Sequence, residues 1–259
     1  MDGYRGFAVI LARLMYFRQM DAVSLSAISG IPEADLHQLL SGEPPLPSHL
    51  HNLSSAFGLH AADIYVFANV PVPEVLAPQD PAAEPAVVRL IAITMTLPPE
   101  LRTHVHRLVE EAPQESRGAF EPQRSYDPEA AGYGALLINL CGNRNLHSLP
   151  AIAKTLAMLT EERVYLASTT ISAIGRGRTP VTSKLIAGFA TILGVSTHTL
   201  AAIIGFESAD LTLAPDPLTA ELSDLLWKCR RLTAAQVESV YGEARAILAS
   251  KSDGSAATR

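Results

Sequence analysis

Apolar residues recur at helical spacing along nearly the whole chain, and this periodicity predicts a succession of short helices. The first apolar stretch runs over roughly Arg5–Met20. Asp21 reads as the cap of a second helix ending at Gly30, and Pro32 sits in the first turn of a third, where a missing N–H costs nothing. Leu36, Leu39 and Leu40 form that third helix's buried face. The EPPLP turn (Glu43–Pro47) breaks the chain. Ser48 then reads as the cap of a fourth helix ending at Gly58, and a fifth runs to about Phe67. The Pro-rich stretch Pro71–Pro85 reads as irregular. A helix pair follows near Ala86–Met95 and Pro99–Glu111.

The pattern then repeats. Gly3-Tyr4 opens the first apolar stretch and Gly132-Tyr133 opens another, 129 residues on. DLHQLLSG (Asp35–Gly42) is matched by TISAIGRG (Thr170–Gly177), and TLPPELRTHVHRLVEEA (Thr96–Ala112) by RLTAAQVESVYGEARAI (Arg231–Ile247). Two copies are too few for a solenoid, so the pattern reads as a duplication. In the second copy Ser148 and Pro150 start the second helix, and Ile171 and Ile174 form the buried face of the third. Thr182 caps the fourth, which ends at Gly194. A Pro-containing joint (Ala214–Pro217) precedes the last pair, Leu218–Cys229 and Thr233–Ala249, with Leu222, Leu225, Leu226 and the lone Trp227 on or near one stripe. That pair either completes the core or forms a dimer face. Gly30, Gly58 and Gly194 each end a helix and should take the left-handed conformation.

The expected fold is all-α: two tandem five-helix units, each followed by an amphipathic helix pair. Their bounds are 1–112 and 132–250, with a polar, flexible linker over 113–131 and a disordered tail over 251–259. A helix pair joined at a Gly turn, with GIPEADLHQLLSG (Gly30–Gly42) in one copy and YLASTTISAIGRGRTP (Tyr165–Pro180) in the other, resembles the Cro/Xre-type, lambda-repressor-like helix-turn-helix family. The resemblance covers about 65 residues of each copy.

It implies a bacterial DNA-binding transcriptional regulator whose recognition helix places its first turn in the major groove. In the second copy the matching exposed positions are Ser168, Thr169, Ser172 and Ala173, with Arg176, Arg178 and Lys184 just beyond. Hydroxyls bond phosphates or bases, and Arg binds guanine in bidentate fashion. In the first copy the matching residues are Glu33, Ala34, Asp35, His37 and Gln38. Gln38 suits adenine and His37 lies beside it, but the two carboxylates repel phosphate. The second copy therefore supplies most of the expected DNA affinity. About six extra residues around LTEERVY (Leu159–Tyr165) lengthen its turn. The alternative is an adaptor that keeps the fold and binds proteins through the first copy or the C-terminal helices, including a second copy of the chain.

Charge sharpens this asymmetry. The net charge is −6, which argues against indiscriminate coating of nucleic acid. Residues 1–112 hold six Arg, no Lys and twelve acids, whereas residues 132–250 hold ten basic and nine acidic residues.

Candidate chemistry is sparse. Cys141 and Cys229 are too few and too far apart for a disulfide framework or a zinc site, and read as buried thiols. His49-x-His51 and His104-x-His106 place their side chains on different helix faces, so no metal is expected. No nucleophile elbow, phosphate loop or paired-carboxylate motif is visible, so neither enzymatic activity nor a cofactor is expected. Leu185–Phe206 approaches a membrane span in length but is interrupted at Gly194. The chain has no recognisable signal peptide, and the expected location is the cytoplasm, with the nucleoid.

Overall fold

A computed structural model describes residues 5–118, 125–207 and 216–256. Gly3-Tyr4, the middle of the 113–131 stretch, Ala214 and Pro215 of the Pro joint and the last three residues lie outside the described residues. Among the described residues the chain is all-helical.

The first repeat contains α1 (Phe7–Phe17), α2 (Ala22–Ser29), α3 (Glu33–Leu40), α4 (Pro47–Phe57) and α5 (Ala61–Phe67). Asp21 caps α2, accepting from the Ser24 N–H at 2.8 Å. Leu36 and Leu39 are buried, as the spacing predicts, while Leu40 is half-buried. Ser48 is not the cap of α4. Pro47 occupies the first turn and Leu46 the cap position, because proline needs no N–H acceptor there. The Pro-rich stretch is more regular than its composition implies: two 3₁₀ turns, Glu74–Leu76 and Pro81–Ala83, lead into the helix pair α6 (Glu84–Met95) and α7 (Pro99–Glu111).

A short α8 (Pro128–Ala131) precedes the second repeat, which contains α9 (Tyr133–Gly142), α10 (Leu149–Leu159), α11 (Ser168–Gly175), α12 (Ser183–Leu193) and α13 (Thr197–Ile204). Ser148 caps α10 and Thr182 caps α12 through their hydroxyls. The chain closes with α14 (Pro217–Cys229) and α15 (Ala234–Ala256). α15 runs past Ser250, so the stretch expected as a disordered tail is helical to Ala256. Gly30, Gly58 and Gly194 take the left-handed conformation with φ of 71°, 64° and 66°. At Gly194 the axes of α12 and α13 turn by 116°, and no single described helix is long and apolar enough to cross a membrane.

The two repeats exchange contacts. α1 lies on α13, and reciprocally α9 lies on α5. α6 packs along α15 and against α14 and α10, and α7 packs against both α14 and α15. The two helix pairs thus bury their apolar faces against one another. Arg102–Glu221 (2.9 Å) and Lys228–Glu110 (2.5 Å) stitch their edges. Arg13 of α1 donates to the Tyr133 hydroxyl of α9 at 2.5 Å.

The described ends of the 113–131 stretch are tied down. Arg117 donates to the carbonyls of Pro78 and Ala77, and Gln114 to that of Arg231. At the far end the Asn139 amide clamps both backbone groups of Tyr126 at 2.8 Å. A free tether would leave these groups to water; here they meet protein partners.

At the centre of the exchange lies a polar cluster. Arg144 is fully buried and paired with Asp63, which also accepts from Asn143 at 2.9 Å. Arg144 donates its second nitrogen to the Leu193 carbonyl at 2.6 Å. Its guanidinium lies 4.9 Å from the Trp227 ring centre, and that of Arg230 4.1 Å. The His60 ring stacks on Trp227 at 3.4 Å. Cys141 and Cys229 are buried thiols, and burial pushes both up to about 12.

Candidate nucleic-acid interface

α11 is held rigidly from behind. Gly134 of α9 faces the Ile174 carbonyl so closely that an added Cβ would lie 2.2 Å from its oxygen. Ile171 and Ile174 are fully buried beneath the helix. The Tyr126 ring, positioned by Asn139, covers Gly175 at the C-terminal end. The outer side remains open: Thr169 is exposed, and Ser168 and Ser172 are half-buried. Ala167 holds the cap position of the helix and offers no side-chain cap, so the first N–H groups have no hydroxyl or carboxylate acceptor from that position.

Arg176, Arg178 and Lys184 are exposed and lie within nine residues of one another, around the end of α11 and the start of α12. None of them has a carboxylate within ion-pair range among the described residues. Arg89, Arg102, Arg144 and Lys228 by contrast are paired. Lys184 stands in the first turn of α12, where the helix dipole disfavours a cation. This lip is therefore a region of uncompensated positive charge.

The turn ahead of α11 has the opposite character. α10 ends in a left-handed turn in which Glu162 N–H bonds to the Ala157 carbonyl at 2.7 Å and Glu161 N–H to that of Met158 at 3.2 Å. Glu161 (φ 49°) and Glu162 (φ 60°) both take the left-handed conformation, which costs a non-glycine residue roughly 1 kcal/mol or more each. α2 makes the corresponding turn with Gly30. The extra residues visible in the sequence are this turn, Thr160–Ala167, against Gly30–Pro32 in the first repeat.

α3 presents a different face. Glu33, Ala34, His37 and Gln38 are exposed, and Asp35 lies 3.6 Å from His49. Asp35, Gln38, Glu43, Leu46 and His49 line a small cavity of about 230 Å³. No Arg or Lys stands on this helix. On α2, Val23 and Ile28 are 60% and 63% exposed, an apolar rather than cationic neighbour. The structure thus gathers Ser168, Thr169, Ser172, Arg176, Arg178 and Lys184 around one helix, and places His37 and Gln38 on another, beside carboxylates.

Sequence reasoning missed the Asp63–Arg144 pair, the Asn139 clamp and the paired glutamates of the long turn. Only the longer turn hinted at the last. Of the paired histidines, His104 meets Glu243 at 3.1 Å, and His106 lies between Glu221 and Asp224. Among the described residues no three His, Cys, Asp or Glu side chains converge on a metal-sized site.

No family model matches the chain, and neither curated proteins nor solved structures return a match.

Proposed function

We propose that the protein is a non-enzymatic, DNA-binding transcriptional regulator of bacterial helix-turn-helix type, with α11 as its principal recognition helix. The observation that carries this reading is the trio Arg176, Arg178 and Lys184, exposed and unpaired beside a rigidly mounted helix. Uncompensated cations around a helix are what a phosphate backbone requires, and Thr169, Ser168 and Ser172 add hydroxyl donors on the same element. Double-stranded DNA is the proposed ligand, with no cofactor, and the nucleoid the proposed place of action. The two repeats, packed together, would meet DNA as one body rather than as two tethered modules.

A second reading belongs to the first repeat. Glu33, Asp35 and Glu43 around α3, with exposed Val23 and Ile28 on α2, fit a protein partner better than phosphate. An adaptor would use this face alone. Selection of fragments from genomic DNA by the purified protein separates the two, since a regulator enriches discrete fragments with a steep salt dependence and an adaptor enriches none.

A further inference from the structure

An open groove of about 540 Å³ runs along α10, between it, Met95 at the end of α6 and the start of α11. That volume is in the range of small-molecule sites. Its floor is apolar: Met95, Ala153, Ala157, Met158 and Leu166. Methionine gives such a floor an adaptable shape. One end carries Glu161 and Glu162, with Tyr165 beside them. Tyr165 is 78% exposed, an unusual expense of apolar surface beside a groove. Lys154 on α10 is the one cation among the groove's lining residues, and Arg163, which donates its Nε to the Thr160 carbonyl at 3.0 Å, follows the two glutamates. Neither Glu161 nor Glu162 has an ion-pair partner among the described residues.

The backbone marks the same end. Elsewhere in the chain Gly30, Gly58, Gly194 and Gly205 end helices in the left-handed conformation, and Gln19, Asn69 and Asn145 take it singly after α1, α5 and α9. Here two consecutive glutamates hold it.

We propose that this groove binds a small lipophilic cation, with its apolar body over Met95 and Met158 and its positive charge against Glu161, Glu162 and the Tyr165 ring. Paired carboxylates supply the charge and an exposed aromatic face supplies cation–π attraction. The proposal does not depend on DNA binding, and either can fail alone.

Tetraphenylphosphonium and tetraphenylborate have nearly the same shape and opposite charge, so together they test it. Calorimetric titration of the full chain should show saturable binding of the phosphonium to one site, and at least tenfold weaker binding of the borate. Glu161→Gln with Glu162→Gln should weaken the phosphonium at least tenfold, with an unchanged melting curve. Met158→Lys should abolish its binding, since the new charge stands on the floor. Equal binding of the two probes, preference for the borate, no saturable phosphonium binding, or a double variant that binds as wild type would overturn the proposal.

Discussion

Asp63 and Arg144 stand 81 residues apart in sequence and share an ion pair whose side chains are 3% and 1% exposed. One belongs to α5 and the other follows α9, so the pair joins the two repeats at their centre. A buried charge stripped of its partner is costly. Arg144→Met or Asp63→Asn alone should lower unfolding free energy by about 3–5 kcal/mol, while the double substitution should recover a large part of that loss. Urea denaturation of the four species measures it. Additive losses would mean that the two side chains do not act as a pair.

The exchange of helix pairs carries its own expectation. Because α6 buries its apolar face on α14 and α15, neither repeat completes its core alone. Residues 1–118 and 125–259, produced separately, should bind hydrophobic dyes and melt without a cooperative transition. Mixing them should restore one. Two fragments that each fold cooperatively would show that the repeats are independent domains.

The stack of His60 on Trp227 makes stability pH-dependent. Burial, aided by Arg144 and Arg230 and opposed by Asp63, pushes the His60 imidazole down to about 4. In the unfolded chain it protonates near 6.5, so acid favours unfolding. The stability from a neutral His60 is complete above about pH 6.5 and is lost as pH falls toward 4. His106 and His147 shift in the same direction, also through burial. His60→Phe keeps the stack without the titration and should lose less stability between pH 7 and 4.5, read by Trp227 emission in urea. An identical loss in wild type and variant would remove His60 from this account.

Gly134 tests the mount of α11. An alanine methyl there meets the Ile174 carbonyl, and backbone must move. Gly134→Ala should destabilise the protein by about 1–3 kcal/mol. Hydrogen exchange should rise most in α9 and α11. A variant as stable as wild type would show that α9 and α11 are not in such close register.

Much of the helix plan is written in the sequence because it is local. The caps Asp21, Ser148 and Thr182, the glycine ends at 30, 58 and 194, and the buried Ile171 and Ile174 follow from spacing and backbone chemistry alone. What the sequence hides is long-range. Amphipathic stripes on α6 and α15 say that each needs a partner, not which one, and the duplication makes two pairings equally plausible on pattern. Arg144 and Asp63 look like ordinary surface charges until the repeats are packed. Arg117 and Gln114 look like linker residues because their acceptors, carbonyls of residues 77, 78 and 231, carry no side-chain signal. Around α11 the cations were legible, but the left-handed glutamates before it were not, since a Glu-Glu pair gives no hint of positive φ.

Arg176, Arg178 and Lys184 are the residues proposed to meet DNA phosphates. The most direct test is the salt dependence of binding to a fragment selected from genomic DNA, for the wild type and for the triple alanine variant. Each lost phosphate contact removes about 0.9 from the slope of log affinity against log salt. The wild-type slope should fall by roughly two to three units in the variant, with the melting curve unchanged. An unchanged slope in a folded variant, or a wild type that binds no fragment, would contradict that assignment.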